Sequence, residues 1–382
     1  MNFLIAPNAL KGSLSALRAA DTISQTLKRI TPDVATFLCP IADGGDGTLD
    51  CLVQACNGKI FTANVRGPIF PLRVNARWGI LGDGATAVIE MAEAAGLRLL
   101  TPTQYDVGNT STYGVGELIF QAVHSGSKKI IVGLGGSATN DGGAGCARAL
   151  GVRFLDEHSR ELPEGGIHLG RLHHWEIKNY ELGIKDLEII GLADVSNTLC
   201  GPEGAAYTFA AQKGASNELV AQLDAGMQNY ASIIERETYH KVLDSPGSGA
   251  AGGLGAGLMA FCNATIVSGI DFVLDAMQFD SLLERCECVI TTEGKIDSQT
   301  LQGKGVQGIA RRAQKFGKPV HAFVGQIDGD GAELQKILGL ASLHQISPNE
   351  VPIEEAMRQA ESFLAVSIRD FFTSNIIREA KK

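Results

Sequence analysis

The chain opens on a short apolar run, Phe3–Ala6, closed by Pro7, which is the pattern of a buried strand. Ser13 then caps an amphipathic helix reaching about Ile30, with Leu14, Leu17, Ala20, Ile23 and Leu27 on one face. A strand near Val34–Ile41 and a helix from Thr48 to about Cys56 complete a βαβα rhythm, which predicts a parallel sheet with helices on its faces. From Lys59 to Glu90 the pattern changes. Short runs at 60–65, 72–78 and 87–91 lie between Gly and Pro turns and predict an antiparallel meander in a different domain. Helical spacing returns at Tyr113–His124 and Asn217–Lys241, and buried runs at 129–134 and 187–195 read as strands. The last section repeats the opening rhythm: strands at 288–292, 319–324 and 343–346, a helix at 306–316 and final helices over 353–377. The expected class is therefore α/β. A discontinuous parallel-sheet domain (1–65 with 290–382) is interrupted by an inserted mixed α/β domain (66–289).

Composition narrows the function. A net charge of −9 without a long basic run argues against nucleic acid or an anionic membrane surface as partner. No apolar stretch is long enough for a membrane helix or a signal peptide, and eight cysteines without a CxxC read as reduced thiols, so the cytoplasm is expected. Glycine is the outlier, 46 of 382 residues against an average of about 7%. The glycines cluster where apolar runs end, and there a backbone can present N–H groups to an anion.

The best phosphate cradle is Gly133-Leu-Gly-Gly-Ser-Ala-Thr-Asn-Asp-Gly-Gly, between a strand and a helix. A tight turn would explain two or three of its glycines, but not five together with Ser137, Thr139, Asn140 and Asp141. The stretch also contains Gly133-x-Gly135-x-x-Ala138, with Asp156 about twenty residues on, so an NAD-linked oxidoreductase acting on a small hydroxy acid is a rival reading. Gly247-x-Gly249-x-x-Gly252 matches too, without a clear preceding strand, and no Walker A spacing exists. Asp43-Gly-Gly-Asp-Gly opens a helix, and two carboxylates among glycines suit a hydrated Mg²⁺; Asp46 as a helix cap is the structural alternative. Asp194 ends a buried run at the crevice, placed for a general base or metal ligand. Glu293 and Asp297 flank Gly294-Lys295 in what reads as a loop after a strand ending at Thr292. Lys11, beside Gly12-Ser13, could neutralise a phosphate or a carboxylate.

Taken together, six ordered motifs resemble the bacterial glycerate kinase family up to about residue 325. They are residues 6–15, 40–48, 133–145, 212–215, 246–255 and 290–300. The resemblance implies two α/β domains, one flavodoxin-like and one inserted, with ATP and glycerate between them. It implies Mg²⁺ and D-glycerate phosphorylated on the 2-hydroxyl, and leaves a homo-oligomer open. Carried over by motif, Lys11, Asp194 and Asp297 are the catalytic candidates. Gly135, Gly136, Ser137, Asn140, Asp141 and Glu293 bind the nucleotide, Ser13 and Lys213 the substrate, and Asp43 and Asp194 the metal. Three positions depart from the family pattern: Asn8 stands where aspartate is usual, Asp46 where glutamate is, and Thr292 where glycine is. Asn8 is the one hint of a third reading, a nucleotide-binding protein that has lost activity.

Overall fold

A computed structural model describes residues 2–178, 187–238, 240–297 and 305–379. Positions 298–300 of the last motif lie outside the described residues. Among the described residues the strands are β1 (Asn2–Ile5), β2 (Ala35–Leu38), β3 (Lys59–Arg66), β4 (Arg73–Ile80), β5 (Thr86–Glu90), β6 (Lys129–Gly133), β7 (Val152–Leu155), β8 (His174–Ile177), β9 (Glu188–Leu192), β10 (Thr265–Val267), β11 (Cys288–Ile296), β12 (Val320–Ile327) and β13 (Ser342–Gln345). They gather into two compact units, Met1–Asp43 with Ile270–Lys382, and Gly44–Gly269.

The first unit is built on a five-stranded sheet, β13-β12-β11-β1-β2, in which every pairing is parallel. In the unit's own chain order this is 2-1-3-4-5 read from the β2 edge, the flavodoxin-like arrangement, with its switch point between β1 and β11. The helices Ala16–Ile30 and Ala360–Glu379 cover one face, burying Ile23, Leu27, Leu364 and Ile368 with Phe3 and Phe323. Each such side chain contributes about 1.5–3 kcal/mol on burial. The first helix begins at Ala16, with Ser15 as its cap accepting from Arg18 N, and not at Ser13. The Ser13 hydroxyl instead donates to Leu10 O and closes the turn after β1.

β11 also departs from expectation. It runs on through Glu293 and Lys295 to Ile296, because those residues pair with Val324, Gln326 and Ile327 of β12. Their polar composition mimics a loop, but the ladder to the neighbouring strand holds them extended.

The second unit carries a six-stranded mixed sheet, β10-β9-β6-β5-β4-β3. β3, β4 and β5 form the expected antiparallel meander, and β5, β6, β9 and β10 are parallel. Pairing of β3 with β4 over its full length, Lys59↔Ile80 to Arg66↔Arg73, groups β3 with this sheet. The unit therefore starts at Gly44, before the boundary expected at 66, and residues 270–289 gather with the first unit. Ile89, Ile130, Val132, Leu118, Tyr230 and Phe261 lie in its core. The helix Asn217–Thr238 stops three residues short of its expected end. Cys39, Cys146, Cys262, Cys286 and Cys288 are buried thiols. Among the described residues no helix is long and apolar enough to cross a membrane.

Candidate active site

In a parallel sheet, ligands bind beyond the carboxyl ends of the strands at the switch point. The first unit has a cavity of about 500 Å³ there. Lys11 reaches it from the loop after β1, Asp43 from the loop after β2, and Glu293 and Asp297 from the end of β11; Ser13 also lines it. Glu293 accepts from Asn8 Nδ2 at 3.0 Å and from Gly294 N at 3.1 Å. Burial pushes its carboxyl up to about 7, the Asp43 carboxylate adds to the rise, and Lys11 opposes it. Two positions that depart from the family pattern meet here. Asn8 N donates to Thr292 O at 3.1 Å, and the Thr292 hydroxyl donates to Asn8 O at 2.6 Å. The Thr292 side chain thus pins the β1–β11 junction beside Glu293. Lys295 lies 3.5 Å from Asp297 and 2.8 Å from Asp328 at the rim, so part of this charge is paired within the protein.

In the second unit the loop after β6 is fixed by backbone bonds from Leu134 N to Leu192 O, Gly135 N to Gly44 O and Ala138 N to Ala95 O. Lys213 is buried beneath it and donates to Ser137 Oγ at 2.8 Å and Thr139 O at 2.7 Å. Burial pulls this ammonium down to about 7, opposed by Asp141. Asp141 faces inward: its two oxygens accept from Thr112 N, Thr112 Oγ1, Gly143 N and Gly145 N. These bonds hold the entry to the helix Ala144–Ala149. Asn140 is fully buried, and neither its Oδ1 nor its Nδ2 has a hydrogen-bond partner. Leaving a buried amide without partners costs about 1–3 kcal/mol, so Asn140 calls for a compensating polar group, for which an ordered water suffices. Gly135 and Ser137 are partly exposed and Gly136 is exposed. Asp194 leaves the sheet at the same end as this loop, since Leu192 pairs with Gly133, and it accepts from Ser268 Oγ at 3.3 Å.

The motif at 246–255 serves this loop by packing. Gly252 has φ +66°, its carbonyl accepts from Gly142 N, and a Cβ there would sit 1.9 Å from Thr139 O. The dinucleotide reading does not fit the backbone. The helix opens at Ala144, six residues past Ala138, rather than on the glycines. Asp156 follows β7, which belongs to a separate two-stranded sheet, and its carboxylate is taken up by His158 N, Arg160 N and the Arg160 guanidinium.

Sequence reasoning missed Glu90. Asp46 does not cap the helix Thr48–Ala55; it lies 3.4 Å from Arg98, and Glu90 accepts from Gly47 N and Leu49 N instead. A glutamate set inside the apolar run 87–91 was the available signal. Burial pushes the Glu90 carboxyl from its ordinary 4.5 up to about 7, against the bond from Leu49 N, with Asp46 adding to the rise. The folded-state value lies above the unfolded one, so this group stabilises the fold below about 4.5, and the contribution is lost as pH rises through about 7. Glu90→Gln keeps an acceptor for both N–H groups and does not titrate. Urea midpoints on either side of that window should therefore differ less in the variant than in the parent, and an unchanged difference would refute the assignment.

The model of the glycerate kinase family matches residues 3–374. The glycerate 2-kinase of Escherichia coli is 41% identical over 360 residues, covering 94% of each chain. The glycerate kinase of Halalkalibacterium halodurans is 40% identical over 367 residues, covering 96% of each. A crystal structure from Salmonella typhimurium, assigned as a glycerate kinase 2, superposes with a TM-score of 0.84 at 39% identity, covering 100% of this chain and 99% of that one. The chain belongs to the glycerate kinase family.

Proposed function

We propose that the protein transfers a phosphoryl group from ATP to D-glycerate, on the 2-hydroxyl, giving 2-phosphoglycerate. Relatives named as glycerate kinases along nearly the whole chain support the reaction class. Within the molecule, the observation that carries the reading is one cavity holding Lys11, Asp43, Glu293 and Asp297 at the sheet's switch point. Phosphoryl transfer needs positioning and neutralisation of spreading negative charge more than covalent help from the protein.

Each unit, taken by itself, carries groups suited to that chemistry. Lys11 brings positive charge to oxygens of the transferring group or the glycerate carboxylate. In the other unit, Gly135, Gly136, Ser137 and the orphaned Asn140 amide offer donors for phosphoryl oxygens, and Lys213 fixes Ser137 and Thr139 in place. Asp194 or Asp297 takes the alcohol proton or holds the metal, and the strand-end position of Asp194 beside the loop makes it the one to test first.

The residues also suit Mg²⁺. Among the described residues no three His, Cys, Asp or Glu side chains form a metal-binding group. Mg²⁺ does not need one, because it binds through one or two carboxylates with phosphates and waters. Asp43 and Glu293, whose charges oppose each other in one cavity, would gain from a divalent cation, with Asp43 as its ligand; Asp194 is the candidate in the second unit. When bound, the ion would draw off phosphate charge.

The test is ADP release from ATP that depends on both D-glycerate and Mg²⁺, followed in the parent and in Asp194→Asn. The variant should lose about 10²-fold or more in turnover if the carboxylate is the base. Near-normal turnover would remove Asp194 from the mechanism, and no glycerate-dependent release from the parent would end the kinase reading.

A further inference from the structure

The cavity of the first unit has two unlike halves. One is the charged end formed by Lys11, Asp43, Glu293 and Asp297. The other is richer in apolar groups: Ile346, Val351, Ile353, Ala356, Met357 and Ala360 stand there with the polar Gln345, Ser347 and Asn349, and the Met357 methyl reaches Gly12, next to Lys11. Ile353 and Met357 lie four apart on the helix Ile353–Arg358, and so on one face, and are 67% and 38% exposed. Large apolar side chains left open at the mouth of a concave site mark ligand-binding surface. The wall beside them is set in advance. Gln345 accepts from Ile327 N at 3.0 Å and donates to Ser347 O and Asn349 Oδ1, and Ser347 Oγ donates to Gly325 O at 3.0 Å.

The proposed reaction has two small ligands, and they differ in what they can cover. Glycerate is a three-carbon acid with oxygen on every carbon, and it has no apolar face to lay on isoleucine and methionine. A purine has two flat apolar faces, and a methionine thioether packs well against an aromatic ring. A cavity of about 500 Å³ is also of the size that takes a drug-sized molecule rather than a three-carbon one. We infer that the apolar half of this cavity binds the purine nucleoside of the nucleotide, with Ile353 and Met357 against the base and the phosphates directed toward Lys11. The inference rests on the kinase reading and adds to it a nucleoside subsite in the first unit.

Methyl-¹³C-methionine labelling tests it. The chain has six methionines, and the signal that disappears in Met357→Leu identifies Met357. ADP should shift that signal in a saturable way through the ring current of the base, and D-glycerate alone should leave it in place. In steady-state assays Ile353→Ser should raise the KM for ATP about tenfold, the loss expected when an apolar side chain no longer covers the base, and leave the KM for D-glycerate unchanged. A Met357 signal that follows D-glycerate, or neither ligand, would overturn the inference. If the protein phosphorylates glycerate while ADP leaves Met357 unmoved, the subsite fails and the kinase reading stands. If ADP shifts Met357 in a protein that phosphorylates no glycerate, the subsite stands and the kinase reading fails.

Discussion

Gly252→Ala is expected to destabilise the second unit by about 2–5 kcal/mol, combining the cost of a left-handed backbone for a residue with a Cβ and the cost of overpacking. The backbone there has φ +66°, and the added carbon would press to within 1.9 Å of Thr139 O. No side chain can swing aside, because the obstacle is backbone. Thr139 also stands between Ser137, held by Lys213, and the buried Asn140 amide, so relief of the clash displaces the donors assigned to phosphate. Activity should fall further than stability alone requires at a temperature where the variant remains folded. Gly126→Ala is the control. Its φ is +87°, but nothing lies within 4 Å of the position a Cβ would take, so only the backbone cost of about 1–2 kcal/mol should be seen. Equal effects of the two substitutions in urea unfolding would contradict the packing argument.

Lys213→Met should cost about 10²–10³-fold in kcat/KM, the usual scale for losing one fixed donor in a charge-stabilising site. Methionine keeps most of the stem's volume but leaves Thr139 O and Ser137 Oγ without the donor that now lies 2.7 and 2.8 Å away. Stability has its own signature. Burial lowers the lysine from its ordinary 10.5 to about 7, so across that window the unfolded chain holds the extra proton and stability rises with pH. The variant should lack that rise. Near-parental kcat/KM in Lys213→Met would show that the lysine does not position the loop for turnover.

Much of this architecture is legible in the order of residues. Strong periodicity gives the helix Tyr113–His124 to the residue, and short β-branched runs give β6 and β9. The Gly-rich stretch after Gly133 reads as a turn from composition alone, and it is one, between β6 and the helix Ala144–Ala149. What the sequence hides depends on distant partners. β11 continues through Glu293 and Lys295 only because β12 lies alongside, and β3 belongs to the second sheet only because β4 pairs with it. Local propensity carries neither fact. Asp141 reads as a ligand by its neighbours, yet Thr112, twenty-nine residues upstream, helps turn it into a structural cap. Glu90 escaped notice because its partners are backbone N–H groups more than forty residues earlier. The apolar wall around Met357 lies beyond residue 325, past the stretch where the motifs carry a resemblance.

The identity of the product is the most direct test of the account. After incubation with MgATP and D-glycerate, a phosphorus–proton correlation spectrum should show the new phosphate coupled to the single proton on C2. Coupling to the two C3 protons would place the group on the other hydroxyl, and a spectrum with no glycerate-bound phosphorus at all would contradict the proposed phosphoryl transfer itself.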